Sequence, residues 1–192
     1  RGVGQSYRHA WGLIKNADQA MYAAKDKGRN GYSYFTVELQ NAAQYRLAMA
    51  NDLRGALAHQ QFEMYYQPIV NLQTGQINKA EALIRWHHPT KGLVSPGLFI
   101  PVAEENGLIY EIGDWGFRQI AQQAKLFRKS LAADFQISFN KSPVQFQRNR
   151  GDVTPTWLDY LKEIDLSGDS IAIEITEGLL LDVSPSTSRQ LL

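Results

Sequence analysis

Glu81, Asn140 and Glu174 are the positions at which this sequence offers chemistry: two carboxylates and one carboxamide, each inside a short run of alternating polar and apolar residues. Hard oxygen donors in a chain without cysteine suit Mg²⁺ or Mn²⁺ better than a structural zinc. In Glu81-Ala82-Leu83-Ile84-Arg85-Trp86 a β-strand would send Glu81, Leu83 and Arg85 to one face and Ala80, Ala82, Ile84 and Trp86 to the other. One face carries an acid and a base, and the other asks for burial. The Arg85 guanidinium matches phosphate oxygens, which its planar fork meets in pairs. Residues 135–142 repeat the pattern, with Phe135, Ile137 and Phe139 on one parity and Gln136, Ser138, Asn140 and Ser142 on the other. In 171–177 the isoleucines share a face and leave Glu174 and Thr176 on the opposite one. Plainer readings stand beside these. Glu81 would pair with Arg85 as a buried strand ion pair, which is costly without a ligand, and Asn140 would cap the turn at Ser142-Pro143.

The elements that must position these groups follow from periodicity. Residues 62–70 read as a strand and Gln73-Thr74-Gly75-Gln76 as a turn. So short a connection excludes a helical crossover and makes the first two strands antiparallel neighbours. After Trp86 a loop is expected through His87, His88, Pro89, Gly92 and Pro96, then a helix over 99–105. A longer helix over 110–129 carries Ile112, Trp115, Ile120, Ala124 and Phe127 inward. The Asn140 strand, a helix over 156–163 and the Glu174 strand come next, and Ser184-Pro185-Ser186 begins a further helix. Strands alternating with helices, with polar residues near the strand ends, are the mark of a parallel barrel. Adjacent His87 and His88 face opposite ways and make a poor zinc site. Trp86 and Trp115 belong in the core.

Upstream, Asn16 is placed to cap a short helix with Ala17, Ala20, Met21 and Ala24 on one side, ending at Lys25-Asp26-Lys27-Gly28, and a strand follows over 32–35. Over 38–59, Leu39, Ala43, Leu47, Ala50, Leu53 and Leu57 recur at steps of three and four, giving a helix that joins two domains and packs on the second. A coiled-coil role for it is the alternative.

Lys and Arg number 20 against 19 Asp and Glu, a formal net charge of +1, so nothing in bulk charge argues for DNA, RNA or a membrane surface. The absence of cysteine excludes disulfides and a thiolate nucleophile and fits a cytoplasmic setting. No apolar run reaches the length of a membrane span. A chain beginning Arg1-Gly2 and stopping at Leu192 in mid-pattern is expected to be part of a longer protein, which a missing region would be free to attach to a membrane.

Five ordered motifs carry a resemblance: Tyr66-Gln67-Pro68-Ile69, the Glu81 strand, Phe99-Ile100-Pro101-Val102-Ala103-Glu104-Glu105, Asn140-Lys141-Ser142-Pro143-Val144-Gln145 and Glu174-Ile175-Thr176-Glu177. Together they resemble the first half of an EAL domain, over 61–192. Residues 17–25 and Gly28-Arg29-Asn30 resemble the closing helix and strand of a GGDEF diguanylate cyclase domain, over 1–37, with 38–60 as the linker helix. Those pairings are typical of bifunctional GGDEF-EAL proteins. The resemblance implies a TIM-like (β/α)8 barrel with an antiparallel first strand pair, of which the first half is present. It further implies cyclic di-GMP as ligand, its hydrolysis to linear pGpG with two Mg²⁺ or Mn²⁺ ions, and a homodimer formed through the EAL domain. Residues matching Glu81, Asn140 and Glu174 are then metal ligands, those matching Gln67, Leu83 and Arg85 touch the dinucleotide, and that matching Glu177 anchors a loop over the site. The residues matching Lys25 and Arg29 hold nucleotide phosphates in a cyclase, but with the rest of that domain missing here the preferred reading is that they are cations interacting favourably with a helix C-terminus.

Lys141 stands where the family usually has an apolar residue. The aspartate pair, lysine and later glutamate of the family's site would fall beyond Leu192, so residues 1–192 alone are expected to be inactive. Two rival functions are a degenerate EAL module that binds cyclic di-GMP without cleaving it, and an interaction fragment that dimerises through the linker helix.

Overall fold

The computed structural model describes residues 36–146 and 156–175, together with positions 14, 17, 18, 20, 21, 25, 32 and 34. The chain divides into two compact units, Arg1–Asp52 and Leu53–Leu192. In the first, positions 14, 17, 18, 20, 21 and 25 are helical, whereas Tyr32 and Tyr34 belong to no strand. Asn16, Arg29 and Asn30 lie outside the described residues, as does the helix expected from Ser184.

Helix α1, Val37–Ala56, crosses the division. Its buried positions are Met49, Ala50, Leu53 and Ala56, while Leu47 is 64% exposed. The expected stripe through Leu47 is therefore corrected. Leu47 precedes Met49 by two residues, about 200° round a helix, and so faces the opposite way.

The second unit is a mixed sheet covered by helices. Its strands are β1 (Phe62–Val70), β2 (Ile77–His88), β3 (Gly92–Val94), β4 (Gln136–Asn140) and β5 (Ile171–Glu174). They lie in the order β1-β2-β4-β5, with β3 on β2. β1 and β2 are antiparallel, as their short connection demands, and β2, β4 and β5 are mutually parallel. Asn71 closes the hairpin by accepting from the backbone N–H groups of Gln73 and Thr74, and Gly75 takes φ +71°. The loop expected after Trp86 is partly strand: β2 continues to His88, and β3 folds back on it through a turn where Gly92 takes φ +69°.

Among the described residues, three α-helices cover one sheet face or close its connections: α2 (Pro96–Glu105), α3 (Ile109–Ser130) and α4 (Trp157–Glu163). α2 begins three residues earlier than periodicity predicts because Pro96 fits the first helical turn, where an N–H has no partner anyway. α4 opens on a capping box between Thr156 and Asp159. Ala80, Ala82, Ile137 and Phe139 from the sheet, with Phe135 just before β4, pack with Phe117, Ile120, Ala121 and Ala124 of α3 in one core. Burial there pushes the Tyr66 phenol up to about 12.

The start of β5 is tied to α3 by Arg128, whose guanidinium donates to both carboxylate oxygens of Asp169, at 3.0 and 3.3 Å, and to the Ser170 hydroxyl. Arg128, with Ser167, lowers the Asp169 carboxyl to about 2. Because the folded value lies below the unfolded one, this contribution is complete above about pH 4 and disappears as pH falls toward 2. Asp169→Asn should therefore be less stable than the wild type at pH 6, and the difference in urea midpoint should close between pH 4 and 2. Midpoints that stay equally separated across that range would show that the pair does not contribute in this way.

Candidate active site

Strand register decides which polar side chains meet. Gln67 of β1 is the partner of Glu81 of β2, and Glu81 is in turn the partner of Ser138 of β4. One step toward the strand ends, Asn140 of β4 is the partner of Glu174 of β5. Partners across a ladder share a sheet face, so Gln67, Glu81, Ser138, Asn140 and Glu174 all stand on the face away from Ala80, Ala82 and Phe139. Leu83, opposite Tyr65, and Arg85, opposite Glu63, continue the same face.

The structure joins two of the sequence-designated residues directly: Asn140 Nδ2 donates to Glu81 Oε1 at 2.8 Å across 59 residues of chain. Arg85 donates to the Ile84 carbonyl at 2.9 Å, and its guanidinium lies 5.4 Å from the Tyr65 ring centroid. It therefore does not form the simple ion pair with Glu81 that the plainer sequence reading offered. Glu174 reaches the site as the backbone partner of Asn140, and its carbonyl accepts from the Lys141 N–H at 3.0 Å. Thr176 and Glu177 lie outside the described residues.

What holds Asn140 in place was not visible in the sequence. Ser142 Oγ donates to Glu104 Oε1 of α2 at 2.6 Å and accepts from the Val144 N–H, while the Ser142 N–H donates to Gln145 Oε1 at 3.1 Å. Tyr110 of α3 donates its hydroxyl to the Val144 carbonyl at 2.9 Å. Gln145 lies so close over Gly113 that a Cβ there would stand 2.1 Å from its amide nitrogen. The chain leaving β4 is thus braced on two helices. Lys141, the departure from the family pattern, reaches away from the site. Its ammonium lies 4.0 Å from the Phe146 ring centroid and 4.7 Å from that of Trp157, which stacks on Phe117. Burial lowers its pKa against the opposing charge of Asp114. An aliphatic stem with a ring-stabilised cation fills the apolar role, and Asn140 keeps its direction.

His87 and His88 take opposite faces as alternation requires. His87 Nε2 is 3.0 Å from Glu63 Oε2, whereas His88 is buried with Nδ1 accepting from the Thr90 and Lys91 N–H groups. A cavity of about 300 Å³ opens on the helix side, between β2, β4, α2 and α3, lined by Ile100, Glu104, Ile112, Gly116 and Phe139 among others. Leu83, Arg85 and Asn140 also border it, so it reaches the edge of the polar face, whereas Glu81 and Glu174 do not line it.

A divalent cation suits the donor chemistry of that face. Glu81 and Asn140 are already adjacent, both offer oxygen, and Ser138 presents a buried hydroxyl without a hydrogen-bond partner among the described residues. Among the described residues no three His, Asp or Glu side chains cluster as a metal site by themselves. The set counts an amide.

Residues 50–191 match the sequence model of the EAL domain. The chain is 40% identical over 177 residues to the bifunctional diguanylate cyclase/cyclic di-GMP phosphodiesterase MucR of Pseudomonas aeruginosa, covering 92% of this chain and 25% of that protein. It is 32% identical over 169 residues to the cyclic di-GMP phosphodiesterase NbdA of the same organism, covering 88% and 21%. Among solved structures, a MucR phosphodiesterase in complex with cyclic di-GMP superposes with a TM-score of 0.66 at 34% identity, over 75% of this chain and 59% of that one. The chain spans about a quarter of the length of these curated relatives.

Proposed function

The chain belongs to the EAL domain family, and on that footing we propose that it forms part of a phosphodiesterase that hydrolyses cyclic di-GMP to linear pGpG. The observation that carries the reading is the Asn140–Glu81 contact at 2.8 Å, in which the amide Nδ2 donates to Oε1 and so places a carboxamide and a carboxylate from different strands side by side on the polar face. The naming of MucR and NbdA as cyclic di-GMP phosphodiesterases supports the substrate. The complete domain closes this sheet into a barrel and adds the remaining ligands, and residues 1–37 belong to a preceding cyclase domain.

Glu81, Asn140 and Glu174 hold Mg²⁺ or Mn²⁺ in this reading. When bound, the cations supply an activated water and offset charge on the oxygens of the phosphodiester. Glu81 contributes negative charge, and Asn140 contributes a neutral amide oxygen from a strand end followed directly by the Ser142–Glu104 brace. Arg85 receives phosphate oxygens, with Gln67 and Leu83 flanking the dinucleotide and Glu177 anchoring the loop above. Loss of the Arg85 charge-assisted hydrogen bonds, about 1.5–3 kcal/mol, corresponds to a rise in KM of roughly 10- to 100-fold in Arg85→Ala, with a smaller change in kcat. Steady-state pGpG formation measures both, and a KM within twofold of wild type would remove Arg85 from the substrate contacts.

The reading itself is tested by incubating the full-length protein with cyclic di-GMP and Mg²⁺ or Mn²⁺ and resolving the products chromatographically. Linear pGpG that disappears with a chelator is expected. Cyclic di-GMP that is bound but left intact in the presence of metal would make this a binding module.

A further inference from the structure

Ser138 is the polar residue on this face with no role so far. It is 8% exposed, and its Oγ has no hydrogen-bond partner among the described residues. A buried hydroxyl left unpaired costs about 1–3 kcal/mol, and a methyl group would serve the packing better. Its flanking residues Ile137 and Phe139 fill the core on the opposite face, so Ser138 is aimed at the site. Its register partner is Glu81, whose Oε1 accepts from Asn140 and whose other oxygen has no donor among the described residues. An unused donor and a carboxylate with acceptor capacity to spare thus sit side by side on neighbouring strands.

We propose that Ser138 is a positioning residue for the metal site, donating its hydroxyl proton to the Glu81 carboxylate once Asn140 has turned toward the cation. The inference rests on the reading of Glu81 and Asn140 as metal ligands. Its logic is a change of donor. With the site empty, Asn140 Nδ2 orients the Glu81 carboxylate. An amide that offers its oxygen to a cation directs its NH₂ group elsewhere, and Glu81 loses that donor. A hydroxyl in the adjacent register position, turning about χ1, is the neighbouring donor on the same face. Carboxylate ligands are commonly oriented by an outer hydrogen bond, and removing one typically costs about 10- to 100-fold in metal affinity.

The test separates this role from a structural one because the two predict opposite signs. In the full-length protein without nucleotide, Mn²⁺ is titrated and the free ion is followed by its electron paramagnetic resonance signal. Ser138→Ala is expected to weaken Mn²⁺ binding about tenfold or more while its urea midpoint stays at or above that of wild type. Ser138→Thr, which restores a hydroxyl, is expected to recover most of the affinity. Mn²⁺ affinity of Ser138→Ala within twofold of wild type would overturn the proposal, as would a loss of affinity accompanied by a lowered midpoint. Glu81→Ala is the control. If it also leaves Mn²⁺ binding unchanged, the metal-site reading has failed, whereas weakened binding in Glu81→Ala alone defeats only the role of Ser138.

Discussion

Glu81→Ala in the full-length protein is expected to lower the rate of pGpG formation on the order of 10³-fold or more. In the proposed function the side chain supplies the negative charge that holds a divalent cation, and the several kcal/mol of transition-state stabilisation such an ion supplies translate at 1.36 kcal/mol per factor of ten. With the site empty, the substitution also removes the acceptor of the Asn140 amide. Glu81→Gln separates the two effects. It keeps an oxygen that Asn140 can donate to and loses the charge, so its activity should remain close to that of alanine if charge dominates. Unfolding midpoints should change little in either variant, since Glu81 belongs to the polar face and not to the core cluster. Near-wild-type turnover in Glu81→Ala would remove this residue from the metal site.

The second large effect is on stability. Trp86 is fully buried on the reverse face of the same strand, with its ring against Phe62, Phe99 and His88 at centroid distances of 5.9, 5.6 and 5.1 Å. Its indole N–H donates to Gln61 Oε1 at 3.0 Å, and Val94 of β3 is its strand partner. One side chain therefore joins β1, β2, β3 and α2 directly behind Arg85. Trp86→Ala should cost about 3–5 kcal/mol, a large part of the total stability of an ordinary domain. Trp86→Phe, which keeps the ring contacts but leaves the Gln61 oxygen without its donor, should cost less. Urea unfolding followed by circular dichroism measures both. A loss below about 1 kcal/mol in the alanine variant would show that the neighbouring rings close over the space.

Both effects trace to one strand, and its two faces were legible in the sequence because a period of two leaves little freedom. Glu81, Leu83 and Arg85 could share a face only if Ala80, Ala82 and Trp86 shared the other. The antiparallel start of the sheet was legible for a similar reason, since a turn as short as that around Gly75 cannot carry a crossover helix. Long-range placement was not. Ser142 and Glu104 are 38 residues apart, and no local pattern announces that one hydroxyl will meet that carboxylate. Nor does alternation show whether a polar side chain finds a partner: it put Ser138 on the correct face without revealing that its hydroxyl would lack one. β3 escaped notice because three residues give no usable periodicity. Leu47 was assigned to the buried stripe of α1 because steps of three and four drift round a helix when followed over several turns. Alternation put Glu174 on a polar face, but its register with Asn140 came only from the ladder.

The polar face stands or falls as a metal site, and anomalous diffraction tests that most directly. Crystals of the full-length protein grown with Mn²⁺ and cyclic di-GMP should show an anomalous peak within about 2.0–2.6 Å of oxygens from Glu81 and Asn140, with Glu174 completing the contact from the next strand. A peak elsewhere, or none at these residues in a protein that still converts cyclic di-GMP to pGpG, would contradict the account.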